Sequence, residues 1–308
     1  MTVHTRPPEI TVRRRAREGS RWVSRPGLLF ILPASIVVLL TVVFPLGWSL
    51  VISLHSSRGF AQGEFVGLGN YLDVLGRSGF RDALVNTVGF VVAALSVELV
   101  IGFVVALVLN RTLPGSGFFR VLFALPLMIA PVVSGLQWRW LFADQYGLIN
   151  AVLAQLGIQG PLWFGSPHAA RAAVLIADVW LATPFVILVL LAGLASLPED
   201  VYEAARIDGA GGIRLFFSIT LPLLKPVILM ILIVRLADAF RIFDLVYVLT
   251  ESGPGGATEV LSTYIYKLTF TGLDIGRGSA ASFLVMLIVG AISFVIIRAL
   301  GARREARS

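Results

Sequence analysis

Leu84-Val-Asn-Thr-Val-Gly-Phe-Val-Val-Ala-Ala-Leu-Ser-Val-Glu-Leu-Val-Ile-Gly-Phe-Val-Val-Ala-Leu-Val-Leu109 is a run of 26 residues with a single charge, Glu98. At about 1.5 Å per residue, a helix of that length crosses the roughly 30 Å hydrocarbon core of a bilayer with some tilt. Lipid offers no partner to a free amide, so the run must be helical. Similar runs occur at 28–50, 119–142, 170–194, 226–249 and 279–299. The expected fold is an all-α polytopic membrane protein with six transmembrane helices.

Composition agrees. Apolar residues make up 57% of the 308 positions, charged residues only 14%, and mean hydropathy is +0.87. A soluble domain would carry roughly a quarter charged residues. The net charge of +7 would suit a nucleic acid, but the arginines gather at span ends and in the tails, where lipid topology accounts for them. No nucleic-acid partner is expected. The chain has no Cys, which excludes disulfides, thiolate metal sites and Cys nucleophiles. Arg13, Arg14, Arg15, Arg17, Arg21 and Arg25 precede an apolar stretch, as in a signal peptide. That stretch, Leu28 to Leu50, is too long for a signal core and lacks a small-residue cleavage site, so it reads as the first span.

The distribution of Lys and Arg orients the spans. With the N-terminus in the cytoplasm, the inside segments hold Arg6 through Arg25, Arg111, Arg120, Arg206, Arg214, Lys225, Arg298, Arg303, Arg304 and Arg307. The outside loops hold only Arg58, Arg77, Arg81, Lys267 and Arg277, with none in 143–169. The positive-inside rule puts both termini in the cytoplasm, and Trp138 and Trp140 then fall in an outer aromatic belt. Three segments follow: a basic tail 1–27, a six-helix domain 28–299 containing a cytoplasmic loop 196–222, and a tail 300–308.

That loop reads Leu197-Pro-Glu-Asp-Val-Tyr-Glu-Ala-Ala-Arg-Ile-Asp-Gly-Ala-Gly-Gly212. Pro198, Glu199 and Asp200 form a helix start, with acids at the positive end of the dipole. Gly209, Gly211 and Gly212 form a stop. A second short helix, Arg214 to Leu221, should follow before Pro222 and Pro226 turn the chain into span five. The small alanines have no core of their own to enter, and the element reads as a docking surface.

Here the chain resembles a known family. Glu203-Ala204-Ala205, Asp208-Gly209 and Ile219-x-Leu221-Pro222 match the "EAA" motif of permease subunits of binding-protein-dependent ABC importers. Leu249-Thr-Glu-Ser-Gly-Pro-Gly-Gly256, Thr258, Leu261 and Tyr264-Ile-Tyr266 resemble the segment after span five in sugar permeases. Asn86-Thr87, Trp180 and Thr183-Pro184-Phe185 agree less distinctively. The likeness is greatest to the first permease of a pair, as in maltose and glycerol-3-phosphate importers. It implies the type I importer permease fold, with a coupling helix near 199–211 seated in a groove of an ATPase subunit. It also implies a second permease, two ATPase copies, an extracytoplasmic solute-binding protein and a place in the bacterial cytoplasmic membrane. Glu203, Ala204, Ala205, Asp208 and Gly209 would then carry the coupling contact: alanines allow close approach, Glu203 meets a basic group, and Gly209 makes the turn.

The chain lacks the signatures of an enzyme. A phosphate-cradling loop ends in Gly-Lys-Ser/Thr, and the only lysines, Lys225 and Lys267, follow Leu224 and Tyr266. ATP and Mg should therefore bind a partner ATPase, with no cofactor in this chain. His4, His55 and His168 are scattered, with no His-Glu-x-x-His, and no metal site is expected. No Gly-x-Ser-x-Gly elbow occurs either.

Charges inside the spans mark the expected pathway. Span five carries Arg235, Asp238, Arg241 and Asp244. Each would cost about 2.5–3.5 kcal/mol facing lipid at a helix centre. They alternate in sign at spacing three, so neighbours can pair along the helix. Asp178 and Glu98 add acids at similar depth, and Trp180, Phe243 and Tyr247, with Phe240, offer rings for a sugar face. Buried ion pairs that fix helix packing are the alternative reading for any one of these charges. Pro126, Pro131 and Pro184 should kink spans three and four. The expected function is half of a translocation pathway for a sugar, polyol or glycerol-phosphate-like solute. A secondary transporter driven by an ion gradient is the alternative.

Overall fold

The computed structural model describes residues 25–57, 59, 63–110 and 115–301. Most of the basic N-terminal tail, Arg58, Arg111 and the C-terminal tail from 302 lie outside the described residues. Among those described the protein is helical, apart from one isolated bridge between His55 and Phe65. The chain forms two units, one reaching to Ser49 and the other starting at Leu50.

Helix α1 (Arg25–Val38) runs through a π-helical turn at Leu39–Val43 into α2 (Phe44–Ser53). Its stretch Ile31–Ser53 is long and apolar enough to cross a membrane. In the second unit, α3 (Gly69–Gly76) precedes the long α4 (Ser78–Leu109). Then come α5 (Ser116–Ala124), α6 (Pro131–Leu141), α7 (Leu148–Gln155) and α8 (Pro167–Ala195). The short α9 (Glu199–Ile207), α10 (Gly212–Leu215) and α11 (Leu221–Leu223) follow. The last four are α12 (Lys225–Phe240), α13 (Asp244–Thr250), α14 (Leu261–Tyr266) and α15 (Ile275–Gly301).

Four helical stretches pass as membrane spans by length and composition: Ile31–Ser53, Ser78–Leu109, Pro167–Ala195 and Ile275–Leu300. Two bent pairs raise the number to six if each is one crossing. Gly117–Met128 and Pro131–Leu141 meet at 98°, and Gly212–Leu223 and Lys225–Phe240 at 66°. The expected third span is thus sharply bent. Pro126 lies in a 3₁₀ turn, Ile129 and Ala130 are extended, and Pro131 starts α6, as ring geometry and the missing amide require. Pro184, by contrast, sits inside an uninterrupted α8. The expected fifth span, 226–249, is not one helix: α12 stops at Phe240 and α13 restarts at Asp244.

The core runs along the seam between α4 and α8. Val186, Ile187, Leu190, Leu191 and Leu194 pack on Ala106 and Leu109, with Leu224 and Ile231 closing that end. A side chain on Gly102 would meet Val186 Cγ1 at 2.6 Å, so glycine is what lets the two helices close. At the opposite end, Phe80, Ala83, Val91 and Leu95 of α4 pack against Leu236, Ala239, Phe240, Leu261 and Ala281. A third cluster joins Ala173, Val174 and Ala177 of α8 to Leu245, Val246 and Leu249 of α13, under Phe142 and Trp163.

The glycine-rich segment after α13 is the least regular. Glu251, Ser252, Gly255 and Gly256 all take positive φ, and the Gly253–Pro254 bond is cis. Its glycines serve a fixed path. Asn86 Nδ2 donates to the carbonyls of Gly256 (3.3 Å) and Glu259 (3.1 Å), and Arg171 Nε to that of Ala257 (2.9 Å). Thr258 donates to Gly253 O (2.8 Å) and pairs with Thr250 (2.8 Å). The buried Thr87 Oγ1 accepts the Leu261 amide at 2.9 Å. Thr87→Val keeps the shape and orphans that amide, at a cost of about 1–3 kcal/mol. The melting temperature of the purified protein should fall for Thr87→Val and stay near wild type for Thr87→Ser.

Candidate functional site

Three charges from three helices meet inside the bundle. Arg235 of α12 donates through Nε to Glu98 Oε2 (2.8 Å) and through Nη2 to Glu98 Oε1 (2.7 Å). This is the two-pronged geometry that suits a guanidinium and a carboxylate. Nη2 also reaches Asp178 Oδ2 of α8 at 3.1 Å. Glu98, Asp178 and Arg235 are 1%, 7% and 6% exposed. Such a cluster would be untenable facing lipid and is held by mutual pairing. It ties α4, α8 and α12 together at mid-helix.

Asp178 and Arg235 also line a cavity of about 420 Å³, together with Asp238, Arg241, Phe243 and Asp244. The cavity opens where span five breaks. No Pro or Gly occupies 241–243. The freed carbonyl of Ile242 accepts the Ser262 hydroxyl, and Phe243 takes φ −126 and ψ −62 before Asp244 starts α13. A hydroxyl supplied from 20 residues downstream replaces the missing helical bond. The expected pairing along one helix does not form. Arg235 turns to Glu98 and Asp178, while Asp238, Arg241 and Asp244 are exposed and make no ion pair among the described residues.

Beside this charged wall runs a chain of rings. Phe243 and Tyr247 stack with centroids 5.2 Å apart at 17°. Tyr266 touches both, at 5.0 and 5.3 Å, and leads to Phe270 at 5.2 Å. Tyr266 and Phe270, which the sequence pattern does not mark as site residues, sit one helical turn apart, beginning at the Tyr-Ile-Tyr signature. Of the other expected pathway residues, Glu98 is sealed behind Arg235 and does not line the cavity. Trp180 lies apart, edge-on to Trp138 at 5.8 Å.

The expected docking residues occupy α9 and its end. Gly209 has φ +77, its amide bonds Arg206 O (3.0 Å), and the Ala210 amide bonds Ala205 O (2.9 Å). These two bonds make a Schellman C-cap, which explains a glycine four residues after Ala205. Ala205 is buried, while Glu203, Ala204 and Asp208 are exposed. The Tyr202 hydroxyl pairs with Thr220 Oγ1 at 3.0 Å and fixes α9 to the following segment. Ile207 and Ile213 stand 86% and 80% exposed.

Residues 66–307 match the family model described as binding-protein-dependent transport system inner membrane component. The chain belongs to that family. The permease is 42% identical, over 91% of its length and 95% of the relative's, to the trehalose/maltose transport system permease protein of Thermococcus litoralis. It is 36% identical to the sulfoquinovosyl glycerol transport system permease protein of Agrobacterium fabrum, over 88% of its length and 89% of the relative's. It is 33% identical to the sn-glycerol-3-phosphate transport system permease protein of Yersinia pestis, over 89% and 96%. A chain of the bacterial alginate ABC transporter, crystallised with an alginate-bound periplasmic protein, shares the fold. Its TM-score is 0.78 at 22% identity, covering 94% of the permease and 99% of that chain. The protein is thus an integral, multi-pass membrane component of an ABC importer.

The triad makes a graded prediction. Arg235→Met strands two buried carboxylates and should cost about 3–5 kcal/mol. Glu98→Gln leaves Arg235 its Asp178 partner and should cost less. Thermal melting of the purified complex would rank them, and equal losses would contradict the shared pairing.

Proposed function

We propose that this permease forms half of the pathway through which an ATP-driven importer moves a sugar, polyol or glycerol-phosphate-like solute. The observation that carries the reading is the break at 241–243. Asp238, Arg241 and Asp244 stand there without an ion pair among the described residues, on the wall of a cavity beside stacked rings of Phe243 and Tyr247. Unpaired carboxylates and a guanidinium bond hydroxyl pairs, and flat rings cover the apolar face of a sugar. The names of the relatives, which speak of trehalose, maltose, sulfoquinovosyl glycerol and glycerol phosphate, support this solute class. Asp178 contributes the edge of the triad to the same wall. Glu98 acts behind it as a positioning residue, and Trp180 rests edge-on against Trp138, outside that wall.

In this reading α9 is the coupling helix. Glu203, Ala204 and Asp208, with Ile207 beside them, meet the groove of a separate ATPase. Ala205 and the Gly209 cap fix the helix to the permease. The ATPase supplies two copies with their ATP and Mg, a second permease completes the pathway, and a binding protein delivers solute to the outside loops 55–83, 143–169 and 250–278. Both termini lie in the cytoplasm, on the side of α9, as the lysine and arginine bias supports. ATP-driven closure of the ATPase pair pulls on α9. Because α9 continues through α10 and α11 into α12, the pull reaches the cavity wall directly.

Expression of the tagged permease with its second permease and ATPase tests both ends of this account. ATPase should co-purify with wild type and be lost or uncoupled in Glu203→Lys and Gly209→Pro. Asp238→Asn and Arg241→Gln should assemble normally yet lower ATP-dependent uptake by about tenfold or more, the loss of one or two charged hydrogen bonds to solute. Normal uptake in both cavity variants would move the pathway elsewhere.

A further inference from the structure

A second groove lies between α4, α8 and the segment that follows α13. It has a volume of about 500 Å³ and is lined mainly by apolar side chains of α4 and α8, among them Val85, Ala93 and Leu175. Gly89 opens it: a Cβ there would meet nothing within 4 Å. At its rim stands Arg171, five residues into α8 and exposed. Nε of Arg171 is spent on Ala257 O and one Nη2 hydrogen on Asn86 Oδ1 (3.3 Å). Among the described residues Nη1 makes no hydrogen bond and the guanidinium has no counter-ion. The nearby carboxylate of Glu259 is taken by Lys267 at 2.8 Å.

We infer that this groove binds an anionic phospholipid, with the headgroup phosphate on Arg171 and an acyl chain along Gly89 and Ala93. The arrangement matches the molecule at both ends. An arginine near the end of a span sits at headgroup depth, and a guanidinium with a free fork suits a phosphate. The groove continues from it toward the helix centre, where acyl chains lie. A soluble anion would use the cation but leave the apolar trough empty. Arg171 also holds the Gly256–Glu259 segment through Ala257 O, so a bound lipid would steady that segment as well. The orientation proposed above puts this end of α8 outside, so the lipid is one of the outer leaflet, and only that assignment rests on the transport reading.

The absence of cysteine in the chain permits a direct test. Ala93→Cys, labelled with bimane in the assembled importer with cysteine-free partners, is placed in nanodiscs containing chain-brominated phosphatidylglycerol or phosphatidylcholine. Both lipids should quench the label, with half-quenching at about fivefold less phosphatidylglycerol, the effect of one interfacial cation. Arg171→Gln, which keeps a donor for Ala257 O, should erase that preference, and Arg171→Lys should keep it. Gly89→Leu should weaken quenching by both lipids. Glycerophosphoglycerol, the headgroup without chains, should not compete. Absence of quenching would mean that another helix fills the groove, and equal quenching in wild type would remove the headgroup site; either overturns the inference. Assembly with the ATPase and ATP-driven uptake are read separately, so a failure here is distinct from a failure of the transport reading.

Discussion

The pairing of Arg235 with Glu98 and Asp178 is the constraint around which the helical bundle is arranged. Three charges within a membrane domain can persist only if they meet, and their meeting fixes the rotation and height of α4, α8 and α12 relative to one another. The two carboxylates share the one guanidinium, and Asp178 brings the edge of the cluster to the cavity. Apolar packing above and below it then has little freedom. Gly102 lets α4 and α8 touch, and Leu236, Ala239 and Phe240 fall into place against α4.

Because Arg235 is committed inward, the residues that follow it are released for other work. One turn on, Asp238 is exposed to the cavity, and the helix ends before Arg241 can repeat the inward direction. The Ser262 hydroxyl satisfies the carbonyl that the break exposes. A continuous helix would have turned Asp238, Arg241 and Asp244 progressively around its axis. The broken one keeps them on one wall. The structural charges and the cavity charges of span five are therefore separated by a single turn.

Much of this was legible in the sequence, for identifiable reasons. Apolar runs near 84–109 and 170–194 announce themselves because lipid demands unbroken helices. The α9 segment was readable in detail because Pro198, the two acids and Gly209 are local signals, and the Schellman bonds at Gly209 and Ala210 follow from them. The bend near Pro126 and Pro131 was also signalled, though not its 98° angle. Three things were not legible. The break at 241–243 has no Pro or Gly, and its compensation comes from Ser262, far along the chain. The partners of Arg235 lie 137 and 57 residues away, while Asp238 at spacing three was the nearer candidate. The glycines after α13 look like slack in a sequence, and only Asn86, Thr87 and Arg171 reveal that they shape a held loop.

The central claim is that the wall formed by Asp238, Arg241 and Asp244 is a path for solute that opens and closes with the ATPase cycle. Leu181→Cys, on the lining of the same cavity in a chain with no cysteine of its own, can be probed in the assembled importer with a hydrophilic thiol reagent applied from the binding-protein side of proteoliposomes. The account predicts slow labelling at rest, fast labelling when ATP and vanadate trap the closed ATPase, and protection by transported solute. Labelling that is equally slow in both states, or indifferent to solute, would contradict it.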